Sequence, residues 1–131
     1  MRPLRTVISA SRRTDLVAFF PTWLAAALRS RQAVLVGPRG RAVEVDLSPE
    51  TVHTLVLWSK DFTNLLRNES GLRDLAAAYD QVYCHFTVTG LGGTSIEPGA
   101  PPAAAALAEV RALVAFAGDP RRVTLRFDPV V

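Results

Sequence analysis

Residues 82–90 read VYCHFTVTG. Aromatic and β-branched residues dominate the run and a glycine closes it, as in a β-strand. Successive side chains of a strand point to opposite faces. His85, Thr87 and Thr89 therefore share one face, and Phe86 and Val88 share the other. The stretch is flanked on both sides by helical patterns: Phe62 to Gln81, broken near Asn68 to Gly71, and the Ala-rich Pro101 to Ala117. A strand set between helices implies parallel neighbours reached by right-handed crossovers. A barrel places the apolar set of such a strand under its helices and directs the polar set inward.

The rest of the chain repeats the arrangement. Thr6 to Ser11 reads as a first strand. PTWLAAALRSR, from Pro21, reads as a helix, with proline in the first turn and Trp23, Leu24, Ala27 and Leu28 on one face. AVLV at 33–36 and AVEVDL at 42–47 flank Gly-Pro-Arg-Gly-Arg and predict a hairpin. Ser48-Pro49-Glu50 reads as a short helix start with Ser48 as N-cap, which puts His53 near a helix end. A second strand then runs from Thr54 to about Ser59. VTLRFDP, from Val123, is the last strand, and nothing helical follows before Val131. The fold expected is α/β: a partial (β/α) TIM-barrel-like fold of about four parallel strands with helices and an inserted β-hairpin. Residues 1–131 read as a single domain, the N-terminal half of a longer barrel protein. An uncovered parallel edge at Val123–Val131 is unusual. It is expected to self-associate or to pair with a missing half.

Composition narrows the class. The chain has 131 residues, 49% of them apolar and 21% charged, which suits a globular domain with its own core. No apolar run approaches the roughly 18–20 residues of a membrane helix. The start, MRPLRTVIS, lacks a secretory apolar region. A cytoplasmic protein without a membrane partner is the expectation. Lys60 is the only lysine among 15 basic residues, and these are spread along the chain without a block. The net charge of +3 therefore leaves nucleic-acid binding open without pointing to it. One cysteine, Cys84, excludes an internal disulfide and any all-cysteine metal site within one chain. Cys84 and His85 are adjacent on a strand and point to opposite faces, so a shared site is disfavoured and Cys84 reads as a buried, inert thiol. No metal ligand set is expected.

In parallel α/β folds, ligands bind at the C-terminal ends of the strands. Every strand here ends in polar residues. The first, in ISASRRTD at 8–15, gives Ser9, Ser11, Arg12, Arg13, Thr14 and Asp15. The second gives Trp58, Ser59, Lys60 and Asp61. The third gives His85, Thr87 and Thr89, with Glu97 in its loop. The fourth gives Arg126 and Asp128. Ser9 and Ser11 fall on one face, with Ile8 and Ala10 on the other. Arginine forks match carboxylates and phosphates, so Arg126, Arg12 or Arg13, and Lys60 form a candidate anion site. The alternative is that Arg126 and Asp128 neutralise each other. TGLGG at 89–93 is glycine-rich but matches no phosphate-loop or dinucleotide fingerprint.

Taken together, ISASRRTD, LVLWSKD, HFTVTGLGG followed by IEP, and RFDPVV resemble the domain of unknown function 1848 family. Its typical motifs run "SASRRTDIPAF", "FWTKNP", "FTLTGY", "IEP" and "WRYDP" in the same order. Here Leu16-Val17-Ala18-Phe19 replaces the proline-containing stretch, and Asp61-Phe62 replaces the Asn-Pro after the lysine. The family looks like radical S-adenosylmethionine proteins, with a cysteine cluster near the C-terminus that this chain does not contain. The resemblance implies S-adenosylmethionine and a [4Fe-4S] cluster for full-length members, and an inactive fragment here without those cysteines. It supports the site at the strand ends, where the enzyme reading gives cofactor- or substrate-binding roles to Ser11, Arg12, Arg13, Thr87, Thr89, Glu97, Arg126 and Asp128, and makes Lys60 and Asp15 the catalytic candidates. The rival reading from the residues alone is a non-catalytic nucleotide- or nucleic-acid-binding module.

Overall fold

The computed structural model describes residues 4–10, 14–88, 95, 105 and 108–127. Four strands form one sheet: β1 (Thr6–Ala10), β4 (Val52–Ser59), β5 (Gln81–Val88) and β6 (Val123–Phe127). They lie side by side in the order β1-β4-β5-β6, and every pair is parallel. Between β1 and β4 come α1 (Leu16–Phe19), α2 (Pro21–Ser30) and the antiparallel hairpin of β2 (Gln32–Val36) and β3 (Ala42–Asp46). α3 (Thr63–Leu66) and α4 (Leu72–Ala76) lead to β5, and α5 (Val110–Ala117) leads to β6. Each strand lies next to its predecessor in the winding, so the order never reverses as it does in a doubly wound sheet. Consecutive winding with helices on one face is the arrangement of a barrel segment. The four described strands form an open sheet.

The core lies under one face only. Leu55 and Leu57 of β4, and Val82, Cys84, Phe86 and Val88 of β5, are buried. They pack with Val17, Leu24, Leu28, Phe62, Leu65, Leu72 and Leu113 from the helices and their approaches. Phe62 meets Phe86 with ring centroids 5.3 Å apart and tilted by 47°. Ile8 and Ala10 of β1 pack against the same core. The alternate residues, Val56 and Trp58 on β4 and Tyr83, His85 and Thr87 on β5, are only half-buried. They look out from a face that no described helix covers.

Backbone chemistry sets the breaks. Pro21 occupies the first turn of α2, and Arg31 ends that helix in the left-handed region at φ 63°. Between α3 and α4, Asn68, Ser70 and Gly71 all have positive φ, which no helix tolerates, so the pattern from Phe62 splits as its sequence predicts. Gly118 closes α5 at φ 82°. At the opposite end of the sheet, Arg5 donates to Asp80 at 2.6 Å and to the carbonyl of Pro49 at 2.5 Å. Tyr79 donates its hydroxyl to the Leu47 carbonyl.

Several boundaries differ from the sequence reading. Ser48 to Thr51 forms a single turn, closed by Thr51 N–H and Val52 N–H on the Ser48 carbonyl, and β4 starts at Val52. Residues Thr6 and Arg5 bond the Thr51 and Val52 carbonyls, and this pairing takes over the segment where a helix could have grown. His53 is consequently a strand residue. Its Nδ1 lies 2.8 Å from Thr54 Oγ1, and its Nε2 lies 3.7 Å from Asp80. The short α1 has no counterpart in the sequence reading. Helix α4 stops at Ala76. In the Ala-rich stretch, Ala105 and Ala108 are helical and α5 runs to Ala117, while the expected start at Pro101 lies outside the described residues.

Candidate functional site

The polar ends of the strands separate into two groups. The first lies between the end of β4 and the helices. Asp15 Oδ1 accepts from Ala18 N–H at 3.0 Å and so caps α1. Its Oδ2 accepts from the Ser59 hydroxyl at 2.9 Å and from Lys60 N–H at 3.0 Å. Ser59 is buried, and its Oγ also accepts from Asp61 N–H at 2.9 Å. Asp61 Oδ1 then accepts from Thr63 N–H at 2.9 Å, while the Thr63 hydroxyl lies 2.7 Å from Glu109 Oε1. Asn64 donates to the carbonyls of Val17 and Ala18. This network ties α1, β4, α3 and the approach to α5 into one rim.

The second group stands on the uncovered face. Parallel register sets Trp58 opposite His85, and Thr87 opposite Arg126. Side chains directly across two strands touch on one face. Trp58 and His85 stack with centroids 4.1 Å apart and planes 11° from parallel. Trp58 Nε1–H donates to Ser9 Oγ at 2.9 Å. The guanidinium carbon of Arg126 lies 5.6 Å from the Trp58 ring centroid, within cation–π range. Ser9, Trp58, His85 and Arg126 come from all four parallel strands.

Burial, and secondly the charge of Arg126, hold His85 below the usual imidazole pKa. At neutral pH its ring is uncharged. On the other face of the same strand, burial alone pushes the Cys84 thiol up to about 12. That thiol is fully buried in the core, an environment that keeps a cysteine protonated and shielded from reagents. The two neighbours thus serve different sides of the sheet. Among the described residues, no group of three His, Cys, Asp or Glu side chains could hold a metal ion. No helix of the described residues is long and apolar enough to cross a membrane.

Of the residues singled out in the sequence, Asp15 and the backbone of Lys60 meet in the rim network, while Thr87 and Arg126 lie on the uncovered face. Ser11, Arg12, Arg13, Thr89, Glu97 and Asp128 fall outside the described residues. Ser9, Trp58 and His85 were legible as polar or aromatic strand-end residues, but their convergence was not. Parity along each strand was the available signal.

A family model described as "Domain of unknown function (DUF1848)" matches residues 7–131. No curated protein and no solved structure matches the chain.

Proposed function

The chain belongs to the DUF1848 family, and from that premise we propose that it is the N-terminal part of a radical S-adenosylmethionine-like iron-sulfur protein. In this reading the uncovered sheet face binds a small anionic cofactor or substrate at the C-terminal ends of the strands. The observation that supports it is the convergence of Ser9, Trp58, His85 and Arg126 from four parallel strands onto one face.

An iron-sulfur cluster of this type needs several thiolates. Cys84 is the only cysteine, and it is buried on the helix side. These residues do not fit a [4Fe-4S] cluster, and its thiolates would have to come from elsewhere in the protein. S-adenosylmethionine fits better. It offers a carboxylate suited to a guanidinium and a purine suited to an aromatic surface, and Arg126 and Trp58 supply both chemistries. Arg12 and Arg13 would add charge around the anion. Ser11, Thr87 and Thr89 would add hydroxyl donors. Glu97 and Asp128 would orient an amine or ribose. Lys60 would contact the anion or transfer a proton, and Asp15 would fix the backbone from which Lys60 projects. The outer edge of β6, which no other described strand pairs, would pair with the remaining barrel strands or, in the isolated chain, with another copy.

Among the described residues, six arginines are engaged within the chain and lend the nucleic-acid reading no support of their own. Arg5, Arg31 and Arg121 pair with carboxylates, and Arg29, Arg73 and Arg122 donate to backbone carbonyls. The decisive experiment is anaerobic iron-sulfur reconstitution of the full-length gene product, followed by equilibrium dialysis with S-adenosylmethionine. Bound iron and cofactor affinity that falls on Arg126→Gln are expected. A full-length protein with neither iron nor affinity for S-adenosylmethionine overturns the proposal.

A further inference from the structure

The hairpin of β2 and β3 buries only part of one face. Its register pairs Ala33 with Val45 and Leu35 with Val43, and alternation sets these four on one face. Ala33 and Val45 pack against the core. Leu35 and Val43 stay 47% and 48% exposed. Between this face, α2 and β1 lies a cleft of about 130 Å³, lined by Ile8, Ala10, Trp23, Leu28, Leu35 and Val45 among others. It reaches the surface at Trp23, which is 46% exposed. Among the described residues, Ser9 is the only polar one lining it, and its hydroxyl is engaged by Trp58. A dry apolar cavity of about 150 Å³ accommodates a benzene ring. A cleft of this size therefore takes a ring or a short branched chain.

The polar groups of the hairpin are sorted by face. Gln32, Glu44 and Asp46 lie on the other face, with Val34. The cleft face ends in a cation. Gly37 N–H donates to the Arg41 carbonyl at 2.7 Å, which carries the pairing one step past Val36 and Ala42. Arg41 therefore follows Val43 on the same face, about 7 Å further along the strand. Glycine stands opposite it. A Cβ on Gly37 would lie 3.4 Å from Val43 Cγ2, so the missing side chain leaves this end of the face without a wall. Arg41 and its neighbour at the tip, Arg39, are exposed, and their side chains meet no carboxylate or carbonyl among the described residues. At the base of the hairpin, by contrast, Arg31 pairs with Glu50. An apolar slot that ends in an unpaired cation, with the acids on the opposite face, complements an apolar anion.

We propose that this cleft binds a small organic carboxylate, with its ring or short branched chain against Trp23, Leu28 and Leu35 and its anion at Arg41. The site lies on the helix side of the sheet and is independent of the ligand-site reading above.

Isothermal titration calorimetry of the intact protein with phenylpropionate, and with its neutral analogue phenylpropanol, tests this. Both should bind, the acid about threefold to fivefold more tightly, the worth of an exposed ion pair. That preference should shrink as salt rises. Arg41→Gln should remove the preference and leave the affinity for the alcohol unchanged, a pattern that misfolding does not produce. Leu35→Asn, at the exposed end of the cleft, should weaken both ligands. Circular dichroism checks that each variant folds. Failure of both probes to bind overturns the proposal. So do equal affinities for acid and alcohol, or acid binding that neither substitution changes. A dimer in sedimentation that Leu35→Asn breaks also overturns it, because a second copy then covers the cleft. A protein that shows the Arg41-dependent preference but binds neither iron nor S-adenosylmethionine loses only the cofactor reading.

Discussion

Asp15 and Ser59 are 44 positions apart in the sequence and 2.9 Å apart in space, carboxylate to hydroxyl. The same carboxylate caps α1 and holds the Lys60 backbone. It joins the start of the first crossover to the end of the second parallel strand.

Removing that carboxylate should loosen the rim before it affects any ligand. Asp15→Ala loses a helix cap and two further hydrogen bonds and should destabilise the fold by about 2 kcal/mol. Asp15→Asn keeps acceptor capacity and should cost less. Urea denaturation of both variants measures the order. A neutral Asp15→Ala would show that the network is not maintained in solution.

Trp58 anchors the uncovered face through one hydrogen bond. Trp58→Phe and Ser9→Ala should each cost about 1 kcal/mol. The double variant should cost clearly less than their sum, because both singles remove the same bond. A double-mutant cycle with additive losses would exclude the Trp58–Ser9 bond.

His85 titrates below its ordinary range, burial being the larger cause and Arg126 the smaller. The unfolded chain takes up this proton near pH 6.5, and the folded chain resists it until lower pH. Stability from this group is therefore full above about pH 6.5 and declines as pH falls toward the folded value. Arg126→Gln should raise the His85 pKa without restoring it fully. An NMR titration of the two histidines follows both states, and a rise all the way to the ordinary value would contradict burial as the main cause.

Cys84 behaves oppositely on the pH axis. Its thiol is raised from 9.0 to about 12 by burial. Above pH 9 the unfolded chain loses the proton and the folded chain keeps it, so stability falls as pH rises from about 9 to 12. The slope from this group is at most about 1.4 kcal/mol per pH unit. Burial also raises Tyr79, which acts in the same direction. Cys84→Ala should flatten the alkaline decline in part, as read by urea denaturation at pH 8 and pH 10. In the native protein at pH 8, a thiol reagent should label Cys84 only after denaturant is added.

Local chemistry made much of the fold legible. Pro21 and the apolar face behind it marked α2, and Gly-Pro-Arg-Gly-Arg between two apolar runs marked the hairpin. The break near Asn68 to Gly71 was readable because asparagine and glycine accept the left-handed conformation found there. Helix α1 was not readable, because four residues cannot display a helical period. Ser48-Pro49-Glu50 misled because a helix start and a single turn share the same first residues. Strand pairing with β1, which no local signal carries, decided between them.

The candidate site divides along the same line. By itself the sequence determined that His85 and Thr87 share a face, that Cys84 and Phe86 share the opposite one, and that polar groups gather at the strand ends. A period of two is a property of each strand alone. Only the tertiary structure decided that Trp58 stacks on His85, that its indole reaches Ser9, and that Arg126 stands beside it. Those meetings depend on strand order and register across helical crossovers. Both are set by how the buried faces of β1, β4, β5 and β6 fit the helices, and packing of that kind leaves no trace in the spacing of any one segment.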